Sequence, residues 1–433
     1  MKKSSKKWGL YCLLLLLCAS LLSSCGYMGG RGGMTRRVID TTDKTCELFG
    51  IRNKEVKTIR VPRRMYGLKV IGIGGGAFSD LDNLTKIKFP KSVTYLGAFA
   101  FSDCDALTSI TIPDTITEIG NHAFTKCDSL QRIVLPNGLE RIESGTFQYC
   151  PVLTDAVIPD SVTYIGEWAF DGCVSIKSMV FSDNLTEVAN RAFYDCTALE
   201  SITFGKGIQR IGASSFMGCT ALVSVTFPEG IVYDVLNNQM GLFISDSAFG
   251  GCTALKSIAI PDGVYYLGNN AFAYCTALTD VTFGNDVQNL GPGLFFECTA
   301  LESITLPDSA YEVSATMFYG CTSLKNVNLG AGVCYIGDDA FAGCTSLESI
   351  VLPDRVVHIE ERAFQNCTAL SSITIPAATT EIYDQAFLNC SSLTSIHFGG
   401  TIEEWQNIEF GNDWDSGTPA YTVYCSDGTL TFD

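Results

Sequence analysis

Thirteen cysteines recur in phase along this chain. Cys104, Cys127, Cys150, Cys173, Cys196 and Cys219 follow one another at intervals of 23 residues; Cys252, Cys275, Cys298, Cys321, Cys344, Cys367 and Cys390 resume the step after one interval of 33. Evenly spaced thiols could pair as disulfides, hold a metal or serve as nucleophiles. In an exported chain with 19 cysteines, disulfides would be the ordinary expectation. The spacing argues against them. Rungs about 4.8 Å apart in a stack are close enough to bridge, but their side chains project in parallel, and thirteen is odd. One column also cannot surround an ion tetrahedrally. The expectation is a column of free core thiols acting as small apolar residues, with no metal and no cofactor. Cys46, Cys334 and Cys425 lie off the column and are left as candidates for intermolecular chemistry.

The cysteines belong to a longer unit, Ala-Phe-x-x-Cys-x-x-Leu-x-x-Ile-x-Ile-Pro. Its phenylalanines run from Phe78 to Phe387, giving fourteen repeats, with Leu81 where the first cysteine would stand. Within one repeat Leu107, Ile110 and Ile112 read as a short strand, which Pro113 ends by removing a ladder donor. Ile116, Ile119, Ala123 and Phe124 then recur at spacings of three and four, which predicts an irregular or short helical return with a corner at Gly120. A 23-residue period with an L-x-x-L-x-L core is the signature of a leucine-rich-repeat solenoid. The expected fold is an α/β-type repeat solenoid of mostly parallel β-strands, about 14 coils plus caps, extending for roughly 65 Å.

The chain divides into four parts. Residues 1–25 carry Lys2, Lys3, Lys6 and Lys7, an apolar run from Trp8 to Leu22 and then Ser23-Ser24-Cys25, which reads as a secretory signal. Leu22-Ser23-Ser24-Cys25 resembles a bacterial lipobox, which implies that Cys25 is lipidated and becomes the first mature residue. Residues 26–55 read as a Gly-rich tether and the start of an N-terminal cap, 56–399 as the solenoid with an insertion near 231–243, and 400–433 as a capping segment with a hairpin turn at Asp427-Gly428. The expected location is exported and lipid-anchored at the cell envelope, at the outer membrane or cell surface.

Charge is unevenly shared. Residues 26–91 hold 14 Lys and Arg against 6 Asp and Glu, whereas residues 92–433 hold 11 against 40, within an overall net charge of -17. An acidic body excludes nucleic acid, whose binding depends on neutralising phosphates. For the basic base two readings stay open: a solvated cap, or Arg31, Arg36, Arg37, Arg63 and Arg64 lying near anionic lipid head groups.

The repeat unit resembles that of the BspA-type leucine-rich-repeat family of bacterial surface proteins. The tail adds to the resemblance through Gly400-Thr401-x-x-Glu404-Trp405 and Val423-x-Cys425-x-Asp427-Gly428-Thr429. The resemblance covers roughly residues 56–430. It implies adhesion to proteins or cells and no catalysis. The residues agree on the second point: His122, His358 and His397 fall in different phases of the repeat and form no triad. Asp114, Asp160, Asp262, Asp308 and Asp354 each follow a proline and read as turn residues.

Two places could take a ligand. On the strand face turned away from the core stand columns of small hydroxyl residues, among them Ser201, Thr203, Ser224, Thr226, Ser257, Thr282, Ser303 and Thr305. Such columns satisfy strand propensity or form a flat surface for a protein or glycan. The other place is the insertion, where Tyr233, Leu236, Met240, Leu242 and Phe243 make either a local packing excursion or a contact loop. The resulting expectation is a non-enzymatic adhesion scaffold for a protein or glycan, held to the membrane by its N-terminal lipid. The alternative is a structural envelope spacer or self-assembling protein without a specific host ligand.

Overall fold

The computed structural model describes residues 33–231, 241–284, 287 and 289–432. The chain winds as a right-through stack of about 16 turns. Each turn contributes one front strand of three or four residues, as in Ser109–Thr111, Arg132–Val134 and Asp155–Val157. Neighbouring front strands are parallel and in register at one repeat: Ser109 faces Arg132, Ile110 faces Ile133 and Thr111 faces Val134. The middle residue turns inward and its neighbours outward, so Ile110 and Ile133 are buried beneath an exposed face.

Of the two courses expected for the return segment, irregular or short helical, the structure takes the non-helical one. The segment's inward residues form a back ladder of two-residue parallel strands, such as Glu118–Ile119 and Arg141–Ile142. The one helix among the described residues is Ile402–Gln406, in the C-terminal cap. The physical reason lies in where the backbone N–H groups go. Around Phe101, the N–H groups of Phe99, Phe101 and Asp103 donate to the carbonyls of Asn121, Ala123 and Thr125 in the next coil, at 2.8–2.9 Å. Phe99 and Asp103 take φ of 57° and 55°, and their counterparts do the same around the other core phenylalanines. A left-handed residue costs roughly 1–2 kcal/mol when it is not glycine. Here it aims alternate donors along the stack, which a helix could not do.

The core is columnar. Phe101, Phe124, Phe147, Phe170, Phe193 and Phe216 are fully buried, and consecutive rings stack at 4.9–5.8 Å. The column continues across the insertion, since Phe216 and Phe249 stack at 5.4 Å. The extra residues therefore leave the stack in register. Beside it run the cysteines, all free and buried from Cys104 to Cys390. Each donates its Sγ–H to the carbonyl of the phenylalanine in the preceding coil, from Cys104 to Phe78 at 3.1 Å to Cys390 to Phe364 at 3.1 Å. At Leu81, the first position of the column, a buried leucine stands in place of the thiol.

Both ends are closed. At the N-terminus β1 (Met34–Asp40) and β2 (Thr45–Ile51) form a hairpin, and β2 starts the back ladder by pairing with Leu68–Ile73. At the C-terminus Thr401 and Glu404 form a capping box for the short helix, and Trp405 is buried under it. Trp414 stands edge-on over Phe387, the last ring of the column, at 5.9 Å. The hairpin Tyr421–Cys425 with Gly428–Phe432 extends the front sheet beyond Ser395–Phe398. With its core covered at both ends, the stretch 33–432 is a self-contained folding unit.

Candidate functional site

The front face is built of short side chains because the strands present alternate residues outward and those residues are mostly Ser and Thr. At three places the face neutralises its own charges. Arg132 pairs with Asp155 at 3.0 Å, Lys177 with Glu200 at 3.7 Å and Lys325 with Glu302 at 3.5 Å, each between adjacent coils. Val157 and Val180 interrupt the hydroxyl columns and are 70% exposed.

Across four adjacent coils the front face forms an open groove of about 1650 Å³. It brings together Thr282, Ser303 and Thr305 from the hydroxyl columns with Lys325, Asn326, Asn328, Ser349, Asp354 and Arg355. Ser201, Thr203, Ser224, Thr226 and Ser257 lie on the same face but outside the groove. The groove can offer donors and acceptors from hydroxyls, two amides, the cations Lys325 and Arg355 and the carboxylates Asp280, Asp308 and Asp354 in one place, a mixture suited to a polar polymer surface. Asn326 and Asn328 carried a signal in the chain itself: this one coil replaces both hydroxyl columns with amides. Lys325, Asp354 and Arg355 had no such mark.

The remaining candidates divide clearly. Leu242 is fully buried in the strand Leu242–Ile244, so it belongs to the core and not to a contact loop. Its place in the back ladder, beside Val264, turns it inward. Phe243 is half-buried, with its ring 5.4 Å from Tyr265 and 6.4 Å from Tyr266. Cys25, Tyr233, Leu236 and Met240 lie outside the described residues. Of the off-column thiols, Cys46 and Cys334 are buried, while Cys425 is half-buried. Asp114 and Asp308 act as turn residues: their Oδ1 atoms accept the N–H of Asn137 at 2.9 Å and of Ala331 at 3.0 Å in the next coil.

The histidines serve separate neighbourhoods. His122 stacks on Phe99 at 4.9 Å, and His397 on Tyr424 at 5.0 Å. His358 lies between Glu360 and Glu381, at 3.6 and 3.7 Å. Among the described residues no group of three or more His, Cys, Asp or Glu could hold a metal ion.

A family model for the BspA-type leucine-rich-repeat region in six copies matches residues 52–157, 140–238, 242–334 and 311–414. The chain belongs to the BspA-type leucine-rich-repeat family. This repeat family is commonly involved in protein–protein interaction or adhesion. A crystal structure of a leucine-rich-repeat protein from Bacteroides ovatus is similar at 27% identity and a TM-score of 0.64, covering 89% of this chain and 98% of its own. A leucine-rich cell surface protein from Faecalibacterium prausnitzii is similar at 25% identity and a TM-score of 0.45, covering 90% and 98%. The pneumococcal vaccine antigen PcpA shares 17% identity at a TM-score of 0.48, covering 93% and 98%. No curated protein matches. These likenesses name no ligand.

Proposed function

We propose that this BspA-type chain is a non-catalytic binding scaffold at the cell envelope that engages a protein or glycan through the front groove. The groove carries the reading: hydroxyl, amide and charged side chains from four adjacent coils line it together. The lipobox-like Leu22-Ser23-Ser24-Cys25 supports export and attachment through a lipid on Cys25, with residues 26–33 as the tether. Membership of a repeat family common in adhesion supports a partner outside the cell.

The test is a binding panel. The chain from Gly26 onward, offered immobilised extracellular-matrix proteins, mucin glycans and whole cells, is expected to show saturable binding to at least one class. Absence of saturable binding to all three would overturn the reading in favour of a structural spacer.

A further inference from the structure

The first two front strands differ from all the rest in charge. Thr58–Arg60 pairs in register with Lys86–Lys88, so Thr58 faces Lys86 and Arg60 faces Lys88. The residues after the strand-ending prolines are Arg63 and Lys91, where later coils carry Asp114, Asp160 and Asp308. Arg60, Arg63, Lys86, Lys88 and Lys91 are all exposed. They occupy two adjacent coils at three positions of the repeat, within a patch about 5 Å by 15 Å at strand spacing.

These five cations differ from the paired ones on the face. Arg132, Lys177 and Lys325 each meet a carboxylate in the neighbouring coil, whereas no carboxylate among the described residues pairs with any of the five. Nor are they needed for the cap. Arg37 pairs with the buried Glu47 at 2.5 Å, Arg36 lies over the Tyr66 ring at 4.9 Å, and Arg64 donates to the Gly67 carbonyl at 2.9 Å. The arginines that hold the cap are thus engaged internally, while the patch keeps its charge unspent beside a strongly acidic body.

We infer that this patch docks the base of the solenoid on an anionic phospholipid surface. The inference rests on the anchoring reading for its choice of anion. The described chain begins at Gly33, eight residues beyond Cys25, so an acyl chain there would hold the first coils within reach of the head groups. The patch would then orient the rod, with its acidic coils repelled outward from the same surface.

The experiment uses the chain from Gly26 onward, which holds the complete capped solenoid and no acyl anchor. Its partition into phosphatidylglycerol/phosphatidylcholine vesicles is expected to exceed that into phosphatidylcholine alone and to fall steeply with salt. Lys86→Ser/Lys88→Thr/Lys91→Asp installs the residues of the following coil. It should lower partition about a hundredfold, at about fivefold per cation, while Lys177→Gln leaves it unchanged. Circular dichroism confirms that the triple variant keeps its fold. For a variant that does not, Arg60→Gln/Arg63→Gln replaces it with an expected loss of about twenty-fivefold. Equal partition into both vesicle types, or folded variants that partition like the parent, would overturn the inference. So would retention on a sulfated polysaccharide without vesicle binding. Whether Cys25 is acylated is read separately, by mass spectrometry of the chain from cell membranes, so loss of the anchor reading is distinguishable from loss of the patch.

Discussion

At pH 8 a thiol reagent is expected to modify Cys425 readily in the native chain from Gly26 onward, and all sixteen cysteines of residues 33–432 once the chain is denatured without reductant. Two barriers protect the ladder. Its thiols have no exposed surface. Burial also pushes Cys173, Cys275, Cys321 and Cys390 up to about 12. A thiol at that value is about one part in ten thousand thiolate at pH 8, against roughly a quarter for an ordinary cysteine. Labelling of the ladder should therefore be slower by more than about a thousandfold. Fewer than sixteen thiols in the denatured, unreduced chain would mean disulfides, and rapid native labelling would mean that the column is open.

Phe193→Ala is expected to destabilise the solenoid by about 3–5 kcal/mol, measured by urea unfolding followed by circular dichroism. Phe193 is fully buried, with Phe170 at 4.9 Å on one side and Phe216 at 5.2 Å on the other. Truncation leaves a cavity facing both neighbours, and the backbone around it is held by donors running to the next coil, so collapse is limited. In a one-dimensional stack every coil depends on its two interfaces. The loss therefore falls on two coils at once. Ser224→Ala, on the exposed front face, should stay within about 0.5 kcal/mol. A loss below about 1 kcal/mol at Phe193 would show that the ring column does not carry the stack.

Much of the architecture was legible because the repeat records it fourteen times over. Phe, Cys, Leu and Ile each hold one column, so a buried position in one coil predicts the next. The return stayed open between an irregular and a short helical course because a two-residue strand has no period of its own. Ile116, Ile119, Ala123 and Phe124 recur at helix-like spacing, yet their backbone donors leave for the neighbouring coil. The left-handed positions were equally hidden. Gly145, Gly172 and Gly218 mark them in some coils, but Phe99, Trp168 and Arg191 hold the same conformation elsewhere, and no such residue type announces a positive φ. Leu242 was drawn into the candidate loop because the insertion's own end could not be located from composition. Pairing with Val264 ends the insertion before it. For the groove, the chain showed columns of hydroxyls but not where along sixteen strands the face gathers charged and amide groups from four coils.

The central claim is that the groove, rather than the front face at large, carries binding. Two matched variants test it against whichever matrix protein, mucin glycan or cell surface the chain binds. Thr305→Trp/Asn328→Trp places bulk inside the groove, and Thr203→Trp/Thr226→Trp places the same bulk on the same face outside it. The groove variant is expected to bind at least about tenfold more weakly, a change of about 1.4 kcal/mol, while the second variant keeps the parent affinity. Unchanged binding by the groove variant, or an equal loss in both, would contradict the account.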